Sequence, residues 1–299
     1  MKFELRGCGT ALVTPFDERG KIDFSALESM VNWQIAEGID FLVTCTPEGE
    51  SPALSGDERK AVTAHVVKIT NGRVPVIAGA GGNHTAKSVF WARDAGAAGA
   101  SAILSVTPSY NLPTPEGLLR HFTAISDATR LPVILYNVPS RTGEDLDPDT
   151  IVRLAQIPRV AGIADASTDF RRLARMVPHL PADFAVYSAD DLTALAGLGL
   201  GMKGLISVAA NLIPGPISRM VKAALDGQSE EARTIYHKHF PLIDVNHCER
   251  SPGPVKAALA MMGRCGETLR LPLAPVRDDS RRRIEKVVRS LKLAGRAPR

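Results

Sequence analysis

An alternation repeated eight times constrains this chain more than any other feature: a short apolar, β-branched run followed by a segment with apolar residues at helical spacing. Residues 9–16 read as the first strand, stopped by Pro15, and a helix follows over 24–37. Residues 41–46 are the second strand. Ser55, with Glu58 three residues on, has the form of a capping box opening the next helix. Further strands are expected over 75–81, 100–107, 132–137, 160–167, 184–190 and 204–209, each leading into a helical segment. That pattern predicts an α/β fold, a (β/α)8 TIM barrel. The alternative, an open doubly wound sheet, fits less well. No Gly-x-Gly-x-x-Gly follows the first strand, and the units number eight rather than five or six. From residue 228 the pattern turns purely helical, over 230–243, 254–262 and 276–293. Residues 1–227 are therefore expected to form the barrel, and 228–299 a C-terminal helical appendix packed on it without a linker.

Composition narrows the function classes. At 299 residues, 44% hydrophobic and 23% charged, the chain can bury a full core. The net charge of +4 is small, and much of it lies in a C-terminal run: Arg281 to Arg283, Lys286, Arg289, Lys292, Arg296 and Arg299. No aromatic residues interleave with that run, so it reads as a solvated helix face and a loose tail, not a nucleic-acid site. Neither a signal-like N-terminal segment nor a membrane-length apolar run is present, so no membrane partner is expected. Cys8, Cys45, Cys248 and Cys265 are scattered without metal-type spacing and read as reduced thiols of a cytoplasmic protein. No His-x-x-x-His pair or carboxylate cluster argues for a metal, and no cofactor is expected. The seven histidines fall on expected helices or tails, as surface residues.

In a parallel barrel the C-terminal ends of the strands form the ligand-binding rim. The richest rim stretch is Leu135-Tyr-Asn-Val-Pro-Ser-Arg-Thr-Gly. The fifth strand ends on Tyr136 and Asn137, Pro139 stops the ladder, and Ser-Arg-Thr-Gly is expected to follow as a loop. A phenol and the guanidinium of Arg141 are thus offered at one strand end. The rest of the rim is rich in hydroxyls and backbone donors, among them Thr46 to Ser51, Thr107 to Asn111, Ser188 to Asp191 and Ile206 to Asn211. The residues alone therefore point to an enzyme for a small polar, anionic substrate, with Tyr136 and Arg141 in its site.

A set of motifs goes further. Gly9-Thr-Ala-Leu-Val-Thr-Pro-Phe, Gly49-Glu-Ser, Ala78-Gly-Ala-Gly-Gly-Asn-His-Thr and Thr107-Pro-Ser-Tyr-Asn-Leu-Pro-Thr-Pro-Glu-Gly precede the Tyr136 stretch. Gly162-Ile, Gly204-Leu-Ile-Ser-Val, Pro254-Val-Lys and Leu269-Arg-Leu-Pro-Leu-Ala-Pro follow it. In order and extent they resemble the dihydrodipicolinate synthase and N-acetylneuraminate lyase family of pyruvate-dependent aldolases. The resemblance implies a barrel without metal or organic cofactor, assembled as a homotetramer, a dimer of tight dimers. Arg141 resembles the synthase branch, where this arginine holds the carboxylate of aspartate semialdehyde. Tyr136 and Tyr110 match two tyrosines of a proton relay, Tyr110 being lent across the tight dimer. The backbone of Ile206 is expected in the same pocket.

Departures from the family pattern bear on the chemistry. In the family, Gly-Ile-Lys on the sixth strand supplies the lysine that forms a Schiff base with pyruvate; here the stretch is Gly162-Ile163-Ala164, and a methyl group cannot form an imine. Asp165 cannot substitute, since it is not an amine and alternates to the other face. The remaining lysines fall on expected helices or tails, or at strand starts. The family's Gly-Thr-Thr-Gly-Glu-Ser, which grips the pyruvate carboxylate, is Thr46-Pro47-Glu48-Gly49-Glu50-Ser51. Pro47 offers neither hydroxyl nor N–H, and Glu48 repels a carboxylate unless protonated or paired. Lys87 and Ser109 replace an acidic residue and a tyrosine of the family's lysine-effector site, so feedback by lysine is not expected. Three readings follow. The first is a synthase-like lyase of lysine biosynthesis lacking its nucleophile, inactive or altered in that reaction. The second is a divergent enzyme acting on another small oxo or hydroxy acid without an imine, and the third a non-catalytic carboxylate-binding paralogue.

Overall fold

Residues 5–295 are described in a computed structural model of the chain; Lys2, Arg296 and Arg299 lie outside them. Eight strands alternate with helices: β1 (Gly7–Ala11), α1 (Phe24–Ala36), β2 (Phe41–Thr44), α2 (Gly56–Thr70), β3 (Val76–Gly79), α3 (Thr85–Ala97), β4 (Ala102–Val106) and α4 (Pro115–Ala128). They continue as β5 (Val133–Asn137), the short helices α5 (Pro139–Thr142) and α6 (Pro148–Leu154), β6 (Val160–Asp165), α7 (Phe170–Met176), β7 (Ala185–Ser188), α8 (Ala194–Gly199), β8 (Gly204–Ser207) and α9 (Pro214–Leu225). Three further helices close the chain: α10 (Ser229–Val245), α11 (Gly253–Met261) and α12 (Asp278–Ser290).

All strands are parallel, and β1 pairs with both β2 and β8, closing the barrel. Strand alternation then sorts the side chains into two layers. Phe41, Val43, Ile77, Leu104, Ile134, Tyr136, Ala164, Tyr187 and Ile206 fill the interior as one cluster. The outward residues join a larger cluster between strands and helices, to which Leu242, Val255, Leu259 and Ile284 of the C-terminal helices also belong. Glycines admit the large interior rings: a Cβ on Gly9 would lie 2.0 Å from the Phe41 ring. The capping box at Ser55 and Glu58 forms as expected. No helix among the described residues is long and apolar enough to cross a membrane.

Three expectations need correcting. Strands end earlier than their apolar runs suggest. After Ala11 the N–H of Val13 turns to the Asn211 side chain, and after Thr44 the chain leaves the ladder at Cys45, whose φ is 56°. The Ser-Arg-Thr stretch expected as a loop is one helical turn, started by Pro139 and ended by left-handed Gly143. His121, expected on the surface, is buried on α4, with Nδ1 2.9 Å from the Thr85 hydroxyl.

Lys256 on α11 is fully buried, and its ammonium lies 2.6 Å from Glu50 and 2.8 Å from the Thr268 carbonyl. Glu50 also accepts the Arg270 backbone N–H, and the Arg270 guanidinium binds Glu58 and the carbonyls of Gly20 and Ala53. The C-terminal region is thereby fastened to the turn after β2. Burial pushes the Lys256 ammonium below its usual range, and Glu50 opposes that shift. Removing one partner leaves an uncompensated buried charge, so Glu50→Ala should cost about 3–5 kcal/mol in urea unfolding. The double change Glu50→Leu with Lys256→Met should recover most of that loss. A Glu50→Ala protein as stable as its parent would contradict this account.

Burial also holds His121 down at about 4, against about 6.5 for a free histidine. Between these values the unfolded chain binds a proton that the folded chain does not, so stability falls as pH drops from about 6.5 to 4. Urea midpoints across that window should show a loss on the order of 2–3 kcal/mol, flattened in His121→Gln. An identical slope in the variant would assign the loss to other groups.

Candidate active site

Register places the interior residues of the mouth side by side. Tyr136 on β5 stands across from Ala164 on β6, which stands across from Tyr187 on β7. The Tyr187 hydroxyl donates to the Leu5 carbonyl, and its ring meets Phe41 edge-on at 6.5 Å. Ala164 is wholly buried between the two tyrosine strands. It lines none of the three cavities that Tyr136 borders. Asp165 faces the other way, where it accepts from Asn137 and Ser167 and pairs with Arg172.

The turn after β2 brings a carboxylate over the mouth. Gly49 and Ser51 donate backbone N–H groups to the Thr46 carbonyl, Glu50 donates to that of Pro47, and the Thr14 hydroxyl binds the Gly49 carbonyl at 2.8 Å. Glu50 takes a left-handed conformation, φ 54°. Folded this way, the turn points Glu48 at Arg141, with Oε1 3.0 Å from Nη2. The Glu48 side chain is 7% exposed and that of Arg141 30%, so the pair spans the boundary between barrel and solvent. The same Nη2 donates to the Ser251 carbonyl at 3.2 Å. The remaining guanidinium N–H groups have no partner among the described residues.

Tyr136 is 92% buried by the complement of its 8% exposure. No group among the described residues hydrogen-bonds its hydroxyl. Burial pushes the phenol well above its usual range, Glu48 and Asp190 push it further, and Arg141 opposes them. At neutral pH Tyr136 is therefore a neutral donor. The Thr46 hydroxyl is buried and has no partner among the described residues.

Tyr136, Glu48 and Arg141 meet in a cavity of about 390 Å³, walled on its outer side by residues 246–251 after α10. Glu48, Tyr136 and Ile206 also border an inner space of about 30 Å³. That inner space holds one or two water-sized groups. Pro47 lies instead along a neighbouring cleft of about 700 Å³, which Tyr136, Arg141 and the exposed Lys87 share. Tyr110 is 94% exposed, left-handed at φ 73°, and borders none of these spaces. The structure thus groups Tyr136, Glu48, Arg141 and Ile206, sets Ala164 in the wall behind them, and leaves Tyr110 outside.

Two contributions had no sequence signal. One is the C-terminal segment 246–251, which carries no motif and meets the mouth only through the packing of α10. The other is the pairing of Arg141 with Glu48, 93 residues apart.

Comparison with known proteins adds a consistent set of relatives. A model described as the dihydrodipicolinate synthetase family matches residues 4–291. The 4-hydroxy-tetrahydrodipicolinate synthase of Koribacter versatilis is 46% identical over 285 residues, covering 95% of each chain. Among solved structures, dihydrodipicolinate synthase from Aquifex aeolicus aligns with a TM-score of 0.95 at 35% identity, covering 98% of this chain and 100% of that one. The chloride-inhibited dihydrodipicolinate synthase from Acinetobacter baumannii, complexed with pyruvate, aligns with a TM-score of 0.95 at 40% identity, covering 97% and 100%.

Because the Tyr136 hydroxyl has no partner to lose, Tyr136→Phe should change folding stability by less than about 0.5 kcal/mol. Thermal unfolding measures this. A loss above about 1.5 kcal/mol would mean that the hydroxyl is bonded in the folded protein.

Proposed function

This chain belongs to the dihydrodipicolinate synthetase family, and from that premise we propose that it binds a small oxo or hydroxy acid at the barrel mouth and acts on it by acid–base chemistry, without an imine. One observation carries the reading: a buried carboxylate, Glu48, and an unpartnered phenol, Tyr136, share a cavity with a guanidinium that has free N–H groups. Arg141 would hold the substrate carboxylate on those groups. Glu48 would accept the hydrogen bond of a hydroxy acid's hydroxyl; from an oxo acid it would take a proton on the carbon beside the carbonyl, the electron pair moving onto the carbonyl oxygen as an enolate. Tyr136, kept neutral by burial and by Glu48, would donate a hydrogen bond to that oxygen as its negative charge grows.

The same geometry weighs against the family's pyruvate-imine reaction in this chain. The resemblance gives position 164 to the imine-forming lysine, and alanine stands there. Ala164 belongs to the interior cluster with Tyr136, Tyr187 and Ile206 and borders none of the cavities at the mouth. A lysine does border the neighbouring cleft, Lys87, but on α3 and exposed to water. The homotetramer, with Tyr110 completing a neighbour's site, and the cytoplasmic location are part of the proposal. The exposure of the large apolar side chains Tyr110, Leu112 and Phe90 fits such an assembly.

The test has two readouts. Small oxo and hydroxy acids at about 100 times their Kd should raise stability by about 2.7 kcal/mol, and Arg141→Met should abolish the rise. Borohydride added with pyruvate should leave the intact protein mass unchanged. A mass gain on the unmodified chain would overturn the imine-free reading, and stabilisation that survives in Arg141→Met would remove the carboxylate role of that residue.

A further inference from the structure

The charges in the 390 Å³ cavity are arranged by depth. Glu48, which also borders the space inside the barrel mouth, and Tyr136 are buried, with half-buried Asp190 lining the same cavity. At the outer end stand Arg141, 30% exposed, and the exposed side chains of His247 and Arg250. The acids differ in what they have left to give. Asp191 is spent: it accepts from the Ser207 hydroxyl and from the backbone N–H groups of Val208 and Ala209, capping the turn after β8. Glu249 is engaged by the backbone N–H and side chain of Arg277. Asp190, by contrast, uses only Oδ2, on the backbone N–H and hydroxyl of Thr193. Glu48 uses only Oε1, on Arg141. No partner among the described residues takes Asp190 Oδ1 or Glu48 Oε2.

Acidic residues alone would not make this a site. The second observation is Tyr136, a polar side chain more than nine-tenths buried, bordering the cavity with an unpartnered hydroxyl. Together the cavity offers two open carboxylate oxygens and the phenol, and Asn246, buried with its side-chain amide unpartnered, borders it as well. A carboxylate placed between Glu48 and Asp190 would set like charge against like charge. A hydroxyl or ammonium would find acceptors on several sides, and charge-assisted hydrogen bonds are the stronger kind.

We infer that the cavity takes its ligand end-on, with a carboxylate outward on Arg141 and a hydroxyl or ammonium donor inward between Glu48, Asp190 and Tyr136. The ligand class is thus a short hydroxy acid or amino acid with its two functions at opposite ends. This narrows the proposed substrate, and it rests on the reading of Arg141 as carboxylate holder. Glu48 and Asp190 are the specificity-determining residues, since they repel an anion between them as well as attract a donor.

A matched ligand series separates the inference from the reading beneath it. Titration calorimetry on the full chain would use butyrate, γ-hydroxybutyrate, γ-aminobutyrate and succinate, each also one carbon shorter and longer. Compared at equal numbers of linking methylenes, as valerate, γ-hydroxybutyrate, γ-aminobutyrate and glutarate are, the members differ only in the far group: methyl, hydroxyl, ammonium or carboxylate. The hydroxyl and ammonium members should bind at least about tenfold tighter than the methyl member, with the dicarboxylate weakest. In the double variant Glu48→Gln, Asp190→Asn that preference should shrink to less than about threefold, with the methyl member still bound. Should that variant not fold, the series on the unmodified chain decides alone. Glutarate or valerate binding as tightly as the donor-ended acids would overturn the inference and leave the carboxylate site standing. Binding by no member at any length, or binding unaltered in Arg141→Met, would overturn the carboxylate site itself.

Discussion

The mouth of this barrel depends on the turn from Cys45 to Ser51, and the turn depends on a buried ion pair between Glu50 and Lys256. Glu50 sits in a left-handed conformation that a non-glycine residue adopts only when its surroundings hold it there. The surroundings do so from a distance: Lys256 lies 206 residues along the chain, and Arg270, which donates its backbone N–H to the same carboxylate, lies 220. Phe16 supports both cations, its ring 4.2 Å from the Lys256 ammonium and 4.4 Å from the Arg270 guanidinium. With Glu50 anchored, Gly49 is pressed against the Leu12 carbonyl at 3.0 Å from where a Cβ would stand. Glu48, one residue further back, has then only the mouth to face. The C-terminal helices therefore contribute to the site twice, by holding this turn and by walling the cavity with residues 246–251.

Holding an acid over the mouth changes what the site can do. An unopposed guanidinium at this place would bind any small anion. With Glu48 on one of its nitrogens, Arg141 keeps a carboxylate-binding edge and is also the ion-pair partner of a buried carboxylate. The phenol of Tyr136 is pushed toward retaining its proton. A carboxylate with an open oxygen beside a neutral phenol is an arrangement suited to proton transfer. Nothing comparable surrounds Ala164, whose neighbours are rings and aliphatic side chains closed around a methyl group.

Much of the fold was legible because strand alternation and helix caps are local. The eight strands, the capping box at Ser55 and Glu58, and the Pro115 start of α4 after Thr114 all follow from residues within one turn of each other. Strand ends were read too long because what ends them is not local: a left-handed residue at Cys45, and a hydrogen bond from Val13 to Asn211 across 198 residues. The burial of His121 is of the same kind, since only the packing of α4 against α3 shows it. At the site, Tyr136, Arg141 and Glu48 were recognisable from strand-end logic and resemblance. The sequence also showed that Glu48 must be protonated or paired to face a carboxylate site. That its partner is Arg141 itself needed three dimensions, as did the open oxygens of Asp190.

The central claim is that this member of the family works on a small acid through Glu48, Tyr136 and Arg141 and not through an imine. Its most direct test is a continuous assay of the purified chain with pyruvate and aspartate semialdehyde, the substrates the family resemblance implies. The expected result is no product above the uncatalysed rate, with or without added metal ions. Sustained turnover by the unmodified chain, lost on removal of one of its lysines, would show that an amine reaches the carbonyl after all and would contradict the account.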